Sequence, residues 1–144
     1  MSSPRLVLDT NTVMALWLFE DPRLAALRAA AEQRRVGLVA RADALEELRR
    51  VLAYAQFGVT PARQAELLTY YRDLSSAAPQ PGMEPPSLPQ CRDADDQKFL
   101  EIARDAQADA LLTRDKLLLR LARHRLVRER FAILTPDAFI PPAS

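Results

Sequence analysis

Apolar positions come in two alternating patterns, short continuous runs and longer stretches at helical spacing. Leu6-Val7-Leu8 runs straight into Asp9 and then into the small polar residues Thr10, Asn11 and Thr12. Such a run reads as a strand buried on both faces, and an acid at its end would stand at the carboxyl edge of a parallel sheet, where open α/β folds hold their ligands. Alone, Asp9 is better explained as the cap of the next helix, and the case for chemistry has to come from other acids in matching places. Val13, Leu16 and Trp17 continue at helical spacing, Asp21-Pro22 has the form of an N-cap with a first-turn proline, and Leu24, Leu27, Ala30 and Ala31 follow. A second short strand is expected over Val36–Ala40. Asp43 three residues before Glu46 suggests a capping box, and Leu45, Leu48, Val51, Leu52 and Ala55 form the next stripe, ending near Phe57-Gly58. At about 100° per residue, Glu47 lies on the border of that stripe and Glu46 points away from it. Thr60-Pro61 opens a helix to about Leu74.

Five prolines between Pro79 and Pro89 make a loop or extended connection, with room for a short third strand. Order resumes at Cys91-Arg92-Asp93-Ala94-Asp95-Asp96, before Phe99, Ile102, Ala103 and Ala106 at helical spacing. Helix polarity explains some of these acids without any function. Both Asp95 and Asp96 fall at the edge of the buried stripe, and periodicity does not choose between them. Ala108-Asp109-Ala110-Leu111-Leu112-Thr113-Arg114-Asp115 repeats the opening pattern of apolar run, hydroxyl and acid. One more helix over Leu117, Leu118, Leu121 and Ala122 and a last strand over Ala132–Leu134 complete the alternation. The fold class expected is α/β, a three-layer α/β/α sandwich with a mostly parallel sheet of four or five strands. A single domain of residues 1–144, with its ordered core over about 5–139, fits a chain of 144 residues that is 49% hydrophobic.

Composition narrows the chemistry. One cysteine, Cys91, and one histidine, His124, exclude an internal disulfide and a Cys/His zinc set. Carboxylates remain as the plentiful metal ligands, which points to Mg²⁺ or Mn²⁺. Gly37, Gly58 and Gly82 stand far apart, so no glycine-rich phosphate loop is present. No run approaches the roughly 18–20 apolar residues of a membrane span, and no signal-peptide pattern is seen, so no membrane partner and a cytoplasmic location are expected. Net charge is +1, too small for a strong field toward a polyanion. The basic run from Arg120 to Arg130, with Glu129 inside it, reads as a solvated face or subunit edge; Arg114, beside Asp115, is the better candidate for a substrate phosphate.

Right-handed crossovers bring all strand carboxyl ends to one edge, so Asp9, Glu47, Asp96 and Asp115 can meet there. Like charges that converge repel, and a divalent cation turns that repulsion into binding. Such a site suits phosphodiester hydrolysis, with a second ion about 3.5 to 4 Å away in two-metal versions.

In order and spacing, Leu8-Asp9-Thr10-Asn11, Glu47-Leu48, Asp93 to Asp96 with Phe99-Leu100 and Ala103, and Ala108 to Lys116 resemble a PIN domain, of the type found as the toxin half of bacterial toxin-antitoxin pairs. Ile133-Leu134-Thr135-Pro136 extends the resemblance, which covers about Arg5 to Phe139. It implies a metal-dependent endoribonuclease using Mg²⁺ or Mn²⁺, an RNA substrate and an antitoxin protein as partner; Trp17, Leu18 and Phe19 read as core, the alternative being the surface of a homodimer, since related domains often pair through their early helices. By position, Asp9, Glu47, Asp96 and Asp115 match the family's acidic quartet, with Asn11 and Thr113 as polar supports. The resemblance selects Asp96 over Asp95 and leaves Asp93 as outer ligand or helix cap, the cap being favoured. Two other readings were weighed: a non-catalytic RNA- or protein-binding module of the same fold, and a haloacid-dehalogenase-like phosphatase, which would need an acid where Asn11 stands.

Overall fold

The computed structural model describes residues 3–143. Its centre is a five-stranded parallel sheet in the order β3-β2-β1-β4-β5, built from β1 (Arg5–Leu8), β2 (Gly37–Ala40), β3 (Ser75–Ala77), β4 (Ala110–Leu112) and β5 (Ala132–Leu134). Every neighbouring pair is parallel, and Leu6, Val7 and Leu8 lie opposite Ala110, Leu111 and Leu112. The sheet is thus parallel throughout, at the upper end of the expected strand number.

Alternation along the strands divides the core in two. Leu6, Leu8, Leu38, Ala40, Ala110 and Leu112 face one layer, made by α1 (Thr10–Trp17), α2 (Ala25–Glu32), α3 (Ala42–Leu52) and α4 (Pro61–Leu74). Val7, Val39, Leu111 and Ile133 face the other, where α5 (Gln97–Asp105), α6 (Lys116–Leu119) and α7 (Arg125–Arg128) contribute Phe99, Leu100, Ile102, Leu118 and Val127. The result is the α/β/α sandwich expected. Because β2 lies on one side of β1 and β4 on the other, the chain reverses its direction of growth between β1 and β4. Crevices at such reversals, outside the carboxyl ends, are the ligand positions of open α/β sheets.

Several local expectations are corrected. The third strand falls at Ser75–Ala77, directly after α4 and before the prolines. Proline cannot donate into a ladder, which suits the following segment to an irregular path. That path is anchored by Gln97, whose side-chain amide donates to the Pro89 carbonyl at 3.0 Å and accepts from the Cys91 N–H at 2.7 Å. The capping box of α3 does not form: the helix begins at Ala42, and Asp43, already in its first turn, is gripped by Arg41 at 2.8 and 2.9 Å. The same helix stops at Leu52, and Gly58 takes a left-handed φ of 60° after a 3-10 turn over Ala55–Phe57. Among the described residues, no helix is long and apolar enough to cross a membrane.

Leu112 is fully buried between strands and helices, whereas Met83 is wholly exposed in the proline-rich segment. Chemical denaturation should therefore show Leu112→Ala losing about 2–5 kcal/mol and Met83→Ala changing stability by less than about 0.5 kcal/mol.

Candidate active site

Asp9 stands at the β1 end of the reversal and is 5% exposed. The extended backbone at Asp9 lets its side chain turn back over the first turn of α1, so Oδ1 accepts the Thr12 N–H at 3.0 Å. Oδ2 accepts the hydroxyl of Thr113 at 2.5 Å. Thr113 is completely buried just beyond β4, and its oxygen also accepts the Asp115 N–H at 2.9 Å. One hydroxyl thereby links the acids that follow the two adjacent central strands. Asp115 in turn caps α6, with Oδ1 accepting the N–H groups of Leu117 at 2.8 Å and Leu118 at 3.2 Å.

Asp96 closes a 3-10 turn over Ala94–Asp96 that leads into α5. It is half-buried, while Asp95 is exposed. Burial and then the nearby charges of Asp115, Asp93, Asp9 and Glu47 push the Asp96 carboxyl up to about 7. Burial likewise raises Asp9, with a further push from Asp115, against the lowering effect of its bonds to Thr113 and Thr12. Asp93 accepts the Asp95 N–H at 3.0 Å and caps the turn. Glu46 is exposed and pairs with Arg49; Glu47 is partly buried, as the helical period places them.

The remaining sequence candidates separate. Asn11 is exposed on the first turn of α1. Arg114 does not present a free guanidinium to the acids: it bridges Asp21 at 2.9 Å and Asp137 at 3.1 Å, so a phosphate role would require those pairs to open. His124 caps α7 through Nδ1, and the arginines around it are exposed on separate short turns rather than along one helix face. Trp17 is buried and Leu18 partly so, while Phe19 is exposed and lies edge-on to Phe57.

Two residues outside the sequence-derived set touch the acids. The Thr10 hydroxyl donates to Glu47 Oε2, and Lys98 Nζ lies 2.8 Å from Glu47 Oε1 while also donating to the Asp95 carbonyl. Lys98, on the first turn of α5 and two residues past Asp96, is one of only two lysines in the chain, a signal that could have drawn attention to it.

The acids are near enough to perturb one another, yet no three Asp, Glu, His or Cys side chains among the described residues stand together as a group that could hold an ion. Their chemistry nonetheless fits a hard divalent cation: the donors are carboxylate oxygens, and burial together with the surrounding acids raises the Asp96 carboxyl, an arrangement that a cation would relieve.

A parallel sheet with acids at the carboxyl edge of its reversal defines an open α/β domain with its candidate site at the switch point. A family model described as a PIN domain matches residues 5–117, most of the chain, and the chain belongs to that family. The fold is generally a nuclease fold, and PIN nucleases generally use divalent metal ions. The matched segment contains all four quartet positions and ends before β5. No curated protein and no solved structure matches the chain.

Asp96 should mark the pH dependence of metal-free stability. Its folded-state value, about 7, exceeds the ordinary 3.8, so between those values the unfolded chain releases a proton that the folded chain retains. Stability from this group is complete below about 4 and is lost as pH rises through about 7. In EDTA, thermal melts should fall over that window, and Asp96→Asn should remove this component and raise the melting temperature at pH 8 by roughly 3 °C.

Proposed function

We propose that this PIN domain is a metal-dependent endoribonuclease that hydrolyses RNA phosphodiester bonds and acts as the toxin component of a bacterial toxin-antitoxin system. The observation that carries the nuclease reading is the gathering of acids at the reversal between β1 and β4, where Thr113 ties Asp9 to the Asp115 backbone and Asp96 and Glu47 stand near enough to interact. Asp9, Asp96 and Asp115 would hold Mg²⁺ or Mn²⁺. When bound, the ion supplies Lewis acidity that activates water for attack on phosphorus.

The chain's own residues do the positioning. Thr113 fixes Asp9 and receives the Asp115 backbone, so the acids after β1 and β4 move as one unit. The cap contacts at Thr12, Leu117 and Leu118 restrict the same two carboxylates from the helix side. Hydrolysis in this sense leaves a 5′-phosphate and a 3′-hydroxyl. The toxin role, the antitoxin partner and pairing into a homodimer rest on the sequence resemblance.

A second reading, a non-catalytic RNA- or protein-binding module, has one observation in its favour: both carboxylate oxygens of Asp9 and both of Glu47 already have partners within the chain. Membership of the PIN family sets the phosphatase reading aside.

With a mixed RNA pool and Mn²⁺, the wild-type protein should cleave, and Asp9→Asn and Asp96→Asn should each lose about 100-fold or more in rate while remaining folded. Full cleavage by both folded variants would sink the assignment, and Mn²⁺ binding without cleavage by the wild type would favour the binding module. In a bacterial host, induction of the wild type should arrest growth and Asp96→Asn should relieve that arrest.

A further inference from the structure

Glu47 is the quartet acid that stands apart in its bonding. Asp9 and Asp115 are bound by neutral hydroxyl and backbone donors, whereas Glu47 is paired with a charged one. Lys98 reaches it from α5 across to α3, and both partners of the pair are largely covered, with side chains 14% and 18% exposed. The pair is held at both ends. Thr10 occupies the second oxygen of Glu47, and the Asp95 carbonyl takes another N–H of the ammonium. An ammonium has three donors, and these contacts engage two of them.

A half-buried ion pair of this kind is costly to break by removing one member, because the other charge is then left uncompensated. Asp96, two residues earlier on the same segment, feels Glu47 as well as Asp115, Asp93 and Asp9, so the ammonium lies at the edge of the group of acids rather than on a remote surface. A second divalent ion at Glu47 would have to displace Lys98, bringing two positive charges to where one already stands. If the ammonium stayed in place, that ion would stand within a few Å of a like charge and be repelled by it.

We propose that Lys98 stands in for a second metal ion: its ammonium neutralises Glu47, so that the acidic site takes a single divalent ion. This inference rests on the metal-dependent reading above. Glu47 is accordingly a partner of Lys98 and not a ligand, although the sequence resemblance places it among the ligands.

The test is the number of Mn²⁺ ions bound per chain, read by isothermal titration calorimetry on the full chain without RNA, beside RNA cleavage by the same preparations. The wild type should bind a single ion, Lys98→Met should bind two, and Lys98→Arg, which keeps the charge, should return to one. Circular dichroism checks that each variant is folded, and Lys98→Gln repeats the count with a neutral side chain that still offers Glu47 a hydrogen bond, should Lys98→Met fail to fold. Two ions on the wild type, or one on the folded neutral variants, overturns the role of Lys98 while leaving the nuclease reading intact if the wild type cleaves RNA. No Mn²⁺ on the wild type overturns both.

Discussion

The hydrogen bond from Thr113 to Asp9 is the contact on which the candidate site depends. It is made between residues that follow neighbouring central strands, 104 positions apart in sequence, and both are buried. A buried carboxylate is strongly disfavoured unless its oxygens are bonded. Here the bonds come from both directions, since the α1 backbone supplies Thr12 N–H and the β4 edge supplies the hydroxyl. Thr12 adds a third tie, its own hydroxyl donating to the Leu112 carbonyl at 3.1 Å. The carboxyl edge of the β1–β4 pair is thus closed by polar bonds that would have no purpose if the strands were shifted. A one-residue slip of β4 would turn Thr113 to the opposite face and leave Asp9 without its shortest partner.

Helix capping and ligand holding are not competing accounts of these acids. Asp9, Asp93 and Asp115 are all N-caps, of α1, of the turn before α5 and of α6. In an alternating α/β chain each strand's carboxyl end is followed by a helix or loop that starts at the same edge, so residues suited to begin a helix are automatically gathered where the fold places its ligands. Capping orients the carboxylates, and their mutual repulsion makes the edge receptive to a cation. Asp96 differs in having no side-chain cap bond, and it is the one whose proton is held to near neutrality.

Much of this was legible in the sequence where local pattern and tertiary role coincide. Buried parallel strands have continuous apolar runs, which is why β1, β2, β4 and β5 stand out, and Thr60-Pro61 marks the start of α4 because its cap bond, Thr60 Oγ1 from Arg63 N–H, is local. β3 was not legible, because Ser75-Ser76-Ala77 has no apolar run and becomes a strand only through its pairing with β2. Asp43 looked like a cap because spacing alone does not reveal Arg41, whose guanidinium captures it and Glu101 together. Arg114 illustrates the same limit: its position beside Asp115 suggested the site, but Asp21 and Asp137 arrive from distant segments. Periodicity placed Glu47 at a border and could not say which charge would meet it there.

That last gap has a physical consequence for how the site is organised. Acids that converge must be neutralised by protons, by a cation from solution or by a cation of the chain, and the three cost the protein differently. Asp96 retains a proton, a solution that disappears above neutral pH. Glu47 uses Lys98, a cation of the chain itself held 2.8 Å away. Asp9 uses neutral donors, which lower its carboxyl only in part against burial. The edge is therefore asymmetric: its Glu47 side already holds a cation of the chain, whereas Asp9, Asp96 and Asp115 rely on neutral donors or a retained proton. On the proposed single-ion reading, a divalent ion would gain most where no cation of the chain stands, at the acids that follow β1 and β4 rather than at α3.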